Sequence, residues 1–518
     1  MYENRETSAV PEIVTGRSGK AAGRTPDMHA AEESDSGVVP MNQPNKSGQP
    51  QAEVGEGRPE IKENIAQSNT PPTQSGASVS QGLSGVRRRA KERKQEKFTA
   101  LLHHLTVDLL RESYFALQRK AAPGVDGETW QQYGTGLEDR LADLHSRVHR
   151  GAYRAKPSRR VFIPKADGRQ RPLGIAALED KLVQQAVVTV LNQIYEVDFQ
   201  GFSYGFRPGR SPHRALDALY VGLVRSKVNW VLDADIRSFF DRMSHEWTMQ
   251  FVQHRVADNR ILRLIQKWLK AGVMEEGRWE ETAVGTPQGA VISPLLANVY
   301  LHYVFDLWME AWRKKVASGQ VVVVRYADDL VVGFQSKADA QRFLRDFQER
   351  LAKFGLELHP DKTRLLEFGR FAAVDRRERG EKKPETFTFL GFVHQCGTSP
   401  RGLFVVWRQT ANNRMVGKLK QIKQTLRRRM HEPLNQIRTW LRSVSQGFYQ
   451  YHAVPGNLRA MNTFRHRLKR LWRSTLRHRS QRPNVGWQRI GPLFDRWLPA
   501  PRVLHPYPDA RFDATHPR

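Results

Sequence analysis

The chain has 518 residues, 39% of them hydrophobic, which is enough apolar material for several buried cores. Its 83 lysines and arginines against 53 acids give a formal net charge of +30, a field that favours a polyanion such as nucleic acid, with a membrane surface as the competing partner. No apolar run approaches the roughly 18 residues of a membrane span, and the N-terminus lacks the pattern of a secretory signal. The single cysteine, Cys396, excludes an internal disulfide framework and predicts a cytoplasmic protein without a membrane partner.

Residues 1–85 are rich in Gly, Ser, Pro, Gln and Asn and show no sustained period, so we predict a disordered leader. A basic run at 87–97 follows, which is either a solvated helix start or a nucleic-acid-binding arm. Folding is expected to begin near Phe98. Helical patterns at 98–120 and 130–150 then predict a basic, helical extension over residues 86–155.

The stretch 159–171, RRVFIPKADGRQR, has the pattern of a β-hairpin, with an Asp-Gly turn between an apolar and a basic strand. Lys165 and Arg171 flank the turn. Two cations on a short hairpin suit a triphosphate, although exposed lysines and arginines are often only solvated. Residues 181–195 carry one apolar helical face and predict a buried helix.

A strand is predicted in the segment 228–240, VNWVLDADIRSFF, and it ends at Asp235. A carboxylate at the end of an apolar strand is costly unless it is paired, hydrated or bound to a metal. Phe240 follows five residues later, before a predicted helix at 241–256.

Residues 285–294, GTPQGAVISP, form a glycine-containing loop before an apolar helix at 295–312. Its glycines allow a close backbone approach to a ligand, and Gln288 is the polar side chain presented there. A purely structural loop is the alternative.

Two valine-rich runs surround Tyr-Ala-Asp-Asp in the segment 321–334, VVVVRYADDLVVGF. They predict a hairpin whose tight turn carries Asp328 and Asp329. Adjacent like charges require open solvent or a cation. A helix at 337–354, a turn and strand at 356–368 containing Lys362, and a strand pair at 387–394 are predicted next.

Residues 401–480 contain nineteen lysines and arginines and one acid. Three amphipathic helical patterns, at 411–430, 433–452 and 457–479, predict a helical bundle with one basic face, which is typical of nucleic-acid binding. The cations spaced by four on that face are Arg465, Lys469, Arg473 and Arg477. The last segment, 499–518, is predicted to be poor in helix and to wrap the surface.

Three acids at strand ends, in a chain suited to polyanions, indicate nucleotidyl transfer. That reaction needs two Mg²⁺ ions held by oxygen ligands, and a few carboxylates plus substrate phosphates are sufficient. The acids are Asp235, Asp328 and Asp329.

The ordered motifs resemble those of group II intron reverse transcriptases/maturases. They are GVDG, IPKADGRQRPLGI, YGFRPGRS, DADIRSFFD, GTPQGAVISPLLAN, YADD, HPDKT and FLGF. The resemblance extends from about residue 98 to the C-terminus and includes the basic helical region. It implies an α/β (α+β) right-hand polymerase with fingers and palm over 156–395, then an all-α thumb/maturase (X) domain over 396–498 and a tail over 499–518.

The resemblance also implies residue roles. Asp235, Asp328, Asp329 and the carbonyl of Ile236 would bind the metals. The nucleotide pocket would comprise Lys165, Arg171, Phe240, Pro287, Gln288, Gly289 and Lys362, with Phe240 as the steric gate against ribonucleotides and Lys362 as a proton donor to pyrophosphate. Phe389, Leu390 and Gly391 would lie at the primer terminus.

The partners implied are group II intron RNA, template RNA, a DNA primer or target and deoxynucleoside triphosphates, within a bacterial ribonucleoprotein. Many relatives also carry a cysteine-containing endonuclease. With one cysteine before Arg518, this chain is expected to lack that activity and to prime from another source, such as nascent strands. Two alternatives remain, a splicing-only maturase and a domesticated reverse transcriptase.

Overall fold

The computed structural model describes residues 74–164, 170–275, 278–281, 284–286, 289–479 and 486–515. The helices are α1 (Gln74–Glu92), α2 (Val107–Ala116), α3 (Trp130–Tyr133), α4 (Leu137–His149), α5 (Leu178–Asp198), α6 (Pro212–Arg225), α7 (Phe239–Arg242), α8 (His245–Gln253), α9 (Asn259–Lys270), α10 (Ser293–Leu301), α11 (Leu307–Lys315), α12 (Lys337–Ala352), α13 (Ala372–Glu378), α14 (Asn412–Arg428), α15 (Leu434–His452), α16 (Leu458–Arg479), α17 (Trp487–Trp497) and α18 (Pro508–Thr515). A 3₁₀ turn at Leu102–His104 precedes α2, and a π-helical turn at His302–Asp306 joins α10 to α11.

The strands form three sheets. They are β1 (Ser158–Pro164), β2 (Gln170–Ile175), β3 (Trp230–Asp235), β4 (Val273–Glu275), β5 (Arg278–Glu280), β6 (Val321–Tyr326), β7 (Asp329–Phe334), β8 (Arg364–Glu367), β9 (Phe387–Phe389), β10 (Phe392–Thr398) and β11 (Phe404–Thr410). The sheet orders are β2-β1-β4-β5, β6-β7-β3-β8 and β11-β10-β9.

The palm sheet, β6-β7-β3-β8, is antiparallel throughout and positions the acids. Alternate residues along its strands enter two cores, because successive side chains of a strand point to opposite faces. Leu232 and Val332 pack in the core that contains Phe343 of α12, whereas Val231 and Val331 pack in the core that contains helix α6. The sheet is therefore a rigid layer covered by helices.

The fingers are built on the β1–β2 hairpin, which confirms the hairpin predicted at 159–171, with Ile163 opposite Arg171. Helix α5, which contains the predicted helix at 181–195, is largely buried and contacts α1, α2 and α10. The helices predicted at 130–150, 241–256 and 295–312 are each interrupted, the first at Gly134–Gly136, the second between α7 and α8 and the third by the π-helical turn.

Structure begins earlier than predicted. Disorder was expected through residue 85, but α1 starts at Gln74, so the prediction is wrong for the last residues of the leader. Val86 and Ala90 of α1 are buried, and the partly buried Leu83 packs against the same core. A few apolar residues therefore order this helix through tertiary contacts, although its composition favours disorder.

The thumb confirms three predicted helices as α14, α15 and α16, which share a core with α17. Two predictions need correction. The β10–β11 hairpin extends to Thr410, so the all-helical part begins at Asn412 rather than 396. The tail is not poor in helix, because α18 forms there and Arg225 of α6 binds its Asp509 and Asp513. No helix among the described residues combines the length and apolarity that crossing a membrane requires.

Candidate active site

The β6–β7 hairpin, which carries two of the predicted catalytic acids, has a two-residue turn. Tyr326 ends β6 opposite Asp329 at the start of β7, which leaves Ala327 and Asp328 as the loop. Ala327 has φ +56°, in the left-handed region. Glycine is usual where a hairpin turn needs a positive φ, and a side chain there costs roughly 1–2 kcal/mol. The turn therefore needs support from its surroundings.

The palm sheet brings the predicted acids to one edge. Asp235 ends β3 directly opposite Asp329 of β7, and Asp328 precedes Asp329 in the turn. Asp235 is 8% exposed and Asp329 is 6% exposed, whereas Asp328 is half-buried. Two buried carboxylates on facing positions repel each other unless cations lie nearby.

Lys362 is one such cation. Its Nζ lies 3.5 Å from Oδ2 of Asp235. The backbone also fixes this end of β3, because the amide of His359 donates to the Asp235 carbonyl at 2.8 Å and Ile236 pairs with Leu358. The residue predicted to act on pyrophosphate thus lies beside a predicted metal ligand.

Asp233, two residues earlier on the strand, takes no part in this cluster. Burial raises its pKa to about 7, an effect that nearby Arg364 opposes and Asp235 adds to. The Arg364 guanidinium lies 3.7 Å from its carboxylate. Asp233 is therefore paired with Arg364 of β8 rather than with the other acids.

Phe240 lies in α7, directly after the catalytic strand, and is partly buried. Its carbonyl accepts a hydrogen bond of 2.9 Å from the amide of Thr286. The start of the predicted nucleotide-pocket loop is therefore bonded to the backbone of the predicted gate.

The fingers contribute Arg171, half-buried on β2, and a contact to Gly289. Gly289 has φ +110°, and a Cβ there would lie 2.8 Å from the carbonyl oxygen of Gly174, so only glycine fits this approach to β2. Lys165, Pro287 and Gln288 lie outside the described residues, and their roles stay predictions.

The predicted primer-terminus segment is a tight turn between β9 and β10. Leu390 and Gly391 both have positive φ, +48° and +77°. The hydroxyl of Tyr451 donates to the Leu390 carbonyl at 2.9 Å, and the amide of Ala411 donates to the Gly391 carbonyl at 3.0 Å. Residues of the thumb region therefore hold this turn.

The four cations predicted to bind RNA do not form one open face. Arg465 lies 2.8 Å from Asp495 of α17, and Lys469 contacts the same carboxylate, with side chains only 16% and 14% exposed. The guanidinium of Arg473 lies over the ring of Trp487, 4.9 Å from its centroid. These three side chains attach α17 to α16, whereas Arg477 is exposed.

A buried polar group formed by Arg325, Asp306 and Asn298 contacts the turn and was not predicted from the sequence. Arg325 and Asp306 have side chains that are 0% exposed, and they form a bidentate pair with N–O distances of 2.6 and 2.7 Å. One feature of the sequence indicates this buried group. Arg325 interrupts a run of valines in a strand, where a charge needs a buried partner.

The donor chemistry of the edge fits a hard cation. Carboxylate oxygens and a backbone carbonyl suit Mg²⁺, which keeps several waters and needs few protein ligands. The described residues contain no group of three or more His, Cys, Asp or Glu side chains arranged to hold a metal ion. Asp235 and Asp329 face each other across the strands, and Asp328 lies in the adjacent turn.

Comparison with known proteins agrees with this geometry. Residues 163–394 match the reverse transcriptase (RNA-dependent DNA polymerase) family. The chain is 34% identical over 275 residues to Protein YkfC of Escherichia coli, covering 47% of this chain and 72% of YkfC. It is 34% identical over 222 residues to the group II intron-encoded protein LtrA of Lactococcus lactis, covering 42% of this chain and 37% of LtrA.

A third relative is the putative COX1/OXI3 intron 1 protein of Saccharomyces cerevisiae, 27% identical over 305 residues, covering 50% of this chain and 36% of that protein. The chain thus spans less than two fifths of the length of LtrA and of the yeast protein. The chain belongs to the reverse transcriptase family of RNA-directed DNA polymerases, among the group II intron-encoded reverse transcriptases/maturases.

Proposed function

We propose that this chain copies RNA into DNA at the palm edge, with two Mg²⁺ ions held by Asp235, Asp328, Asp329 and the carbonyl of Ile236. The observation that carries the proposal is the cross-strand pairing of Asp235 with Asp329, with Asp328 in the adjoining turn. The chemistry that bound Mg²⁺ supplies is activation of the primer 3′-oxygen and stabilisation of the leaving pyrophosphate.

The protein's own groups orient the nucleotide. The ammonium group of Lys362, which lies beside Asp235, would donate a proton to the departing pyrophosphate. The Phe240 ring, fixed next to the Thr286 backbone, would occupy the space that a 2′-hydroxyl needs. Arg171 would neutralise phosphate charge, together with Lys165 and with Gln288 as a polar contact.

A primer-extension assay on an RNA template with Mg²⁺ and deoxynucleotides tests the activity. Wild type should incorporate nucleotides. In Asp328→Ala the incorporation rate should be at least about a thousandfold lower, since a metal ligand would be missing. Asp139→Ala, an exposed carboxylate on α4, is the matched control and should behave as wild type. Absence of incorporation by wild type, with intron splicing retained, would favour the splicing-only maturase instead.

We also propose that the thumb binds intron RNA through the outward side of α16. Arg459, Arg470 and Arg477 are exposed and lie on the side opposite the buried Phe464 and Leu468. Among the described residues, none of these three arginines has a carboxylate within 4 Å. The stripe spans about 27 Å at ~1.5 Å per residue, long enough to meet several phosphates.

Paired charge reversals separate binding from folding. Arg459→Glu with Arg470→Glu should weaken binding of the co-purifying RNA, reduce the salt slope by about 2 and leave the melting temperature unchanged. Arg465→Glu with Lys469→Glu should instead lower the melting temperature, because Asp495 would face two acids. Unchanged RNA affinity and splicing in the outer double variant would contradict the proposed surface.

A further inference from the structure

Arg325 directs a buried guanidinium at the catalytic turn. Its Nε and one Nη bind the two carboxylate oxygens of Asp306, which ends the π-helical turn. The other Nη donates to two acceptors, each at 3.0 Å, the side-chain oxygen of Asn298 and the carbonyl oxygen of Ala327. Arg325 thereby connects a helix of the palm to the left-handed residue of the turn.

The other side of the turn is enclosed by backbone. Asn298 donates to the carbonyl of Gly205 at 2.8 Å. A Cβ on Gly205 would lie 2.2 Å from the amide nitrogen of Ala327, so the segment containing Gly205 packs directly on the turn. Arg325 also exchanges backbone hydrogen bonds with this segment, to Phe202 and Tyr204. Ala327 is therefore held at its carbonyl by a side chain and at its amide by a neighbouring chain segment.

Fold stability alone does not explain this group. A buried ion pair is often no more stabilising than an apolar pair of similar size, because both charges must be desolvated. A bidentate pair with a further donor aimed at one carbonyl does, however, define a single backbone geometry. That carbonyl belongs to the residue immediately before Asp328.

We propose that Arg325, oriented by Asp306, is a positioning residue that keeps Ala327 left-handed and so sets Asp328 and Asp329 against Asp235. The inference rests on the proposed polymerase function. Neither Arg325 nor Asp306 touches substrate in this assignment. Their effect is transmitted through one hydrogen bond to the turn.

Removing both charges together tests the role without leaving an uncompensated buried ion. The double variant Arg325→Met with Asp306→Leu should fold with a melting temperature near that of wild type. It should lower kcat for nucleotide incorporation about 30-fold or more and raise the Mg²⁺ concentration for half-maximal activity. KM for deoxynucleotide and affinity for template-primer should change less than about threefold, because the binding surfaces are untouched.

A second-site change provides the specific readout. Glycine adopts a positive φ without strain, so adding Ala327→Gly to the double variant should raise its kcat about tenfold. Arg325→Lys, a milder single change that keeps the charge but loses the planar fork, should show an intermediate loss. A generally destabilised protein would not respond to glycine at this one position.

The control is Arg255→Met with Asp198→Leu, which removes another buried ion pair whose arginine binds the carbonyls of Arg93 and Lys94. It should retain kcat within about threefold. If the Arg325 variants fold and match wild type, or if they lose activity and Ala327→Gly recovers none of it, the positioning role is overturned. If wild type is no more active than Asp328→Ala, the polymerase function itself fails.

Discussion

The Nζ of Lys362 lies 3.5 Å from Oδ2 of Asp235, so a lysine provides counter-charge to a carboxylate proposed to bind Mg²⁺. Both side chains are largely buried, at 14% and 12% exposure. In the proposed site, Lys362 and the divalent cation would act on the same carboxylate.

We expect Lys362→Met to destabilise the metal-free protein by about 1–3 kcal/mol, since the acid cluster loses a cation in a poorly solvated site. Mg²⁺ should then restore more stability in the variant than it adds to wild type. Denaturant unfolding without Mg²⁺ measures the first effect, and the change in the free energy of unfolding when Mg²⁺ is added measures the second. Lys120→Met, an exposed lysine, is the control, and an equal Mg²⁺ effect in Lys362→Met and wild type would contradict the expectation.

Phe240→Ala should admit ribonucleotides, because the ring next to the catalytic strand would no longer fill the space beside the sugar. Discrimination between deoxynucleotide and ribonucleotide, as the ratio of kcat/KM, should fall about tenfold or more. Phe240→Tyr keeps the bulk of the ring and should retain discrimination. A ratio in Phe240→Ala equal to that of wild type would show that the gate is elsewhere.

The C-terminal helix α18 should depend on one buried acid more than on its surface pairs. Asp217 is 1% exposed and binds Arg408 and Arg511, so Asp217→Ala should cost about 3 kcal/mol by leaving Arg408 buried without its partner acid. Asp513→Ala breaks an exposed pair with Arg225 and should cost less than about 1 kcal/mol.

Urea unfolding and limited proteolysis between α17 and α18 distinguish the two variants. Asp217→Ala should be cleaved faster there, whereas Asp513→Ala should resemble wild type. Equal losses in both variants would mean that the buried acid is not the main attachment of α18.

Acid should destabilise the palm–thumb region through neutral, buried histidines. Burial lowers the pKa of His213, His394 and His452 to about 3 and that of His302 to about 4. Each stays neutral in the folded protein but takes a proton on unfolding below about pH 6.5. Stability is therefore full above that pH and falls on acidification, by about 1.4 kcal/mol per pH unit for each histidine.

His394→Gln tests this relation at a ring that is 0% exposed and stacks on Phe387. Between pH 6.5 and 4.5 the free energy of unfolding should fall less steeply in the variant than in wild type. The difference in slope should be about 1.4 kcal/mol per pH unit, which corresponds to one proton. Denaturant unfolding across that range measures the slope. An unchanged slope would indicate that His394 is not protonated on unfolding in this range.

Much of the site followed from residue pattern. Two valine-rich runs on either side of Tyr326–Asp329 predicted the hairpin, and the apolar strand ending at Asp235 predicted a second acid at a strand end. Helices with clear 3.6-residue periodicity, such as α12 and α14, formed within a few residues of the expected bounds. These features depend on local conformational preference and burial, which neighbouring residues largely determine.

Interactions between distant segments were not predictable in this way. The interpretation of Arg465 and Lys469 as an open RNA face did not include Asp495, twenty-six residues beyond Lys469, because periodicity identifies a helix face but not the helix that covers it. The formation of α1, where disorder was expected, likewise depends on contacts with a helix far along the chain, α5.

The sequence by itself determined the fold class, the family and the three carboxylates of the palm, since short-range pattern and motif order specify strands, turns and their acids. Only the tertiary structure decided that Asp235 faces Asp329 and that Lys362 lies against Asp235. It also decided that the Arg325 guanidinium donates to the Ala327 carbonyl in the turn. The physical reason is that strand register and buried charge contacts join distant segments: Asp235 and Asp329 are 94 residues apart, and Asp235 and Lys362 are 127 residues apart. Packing selects among the partners that the sequence allows.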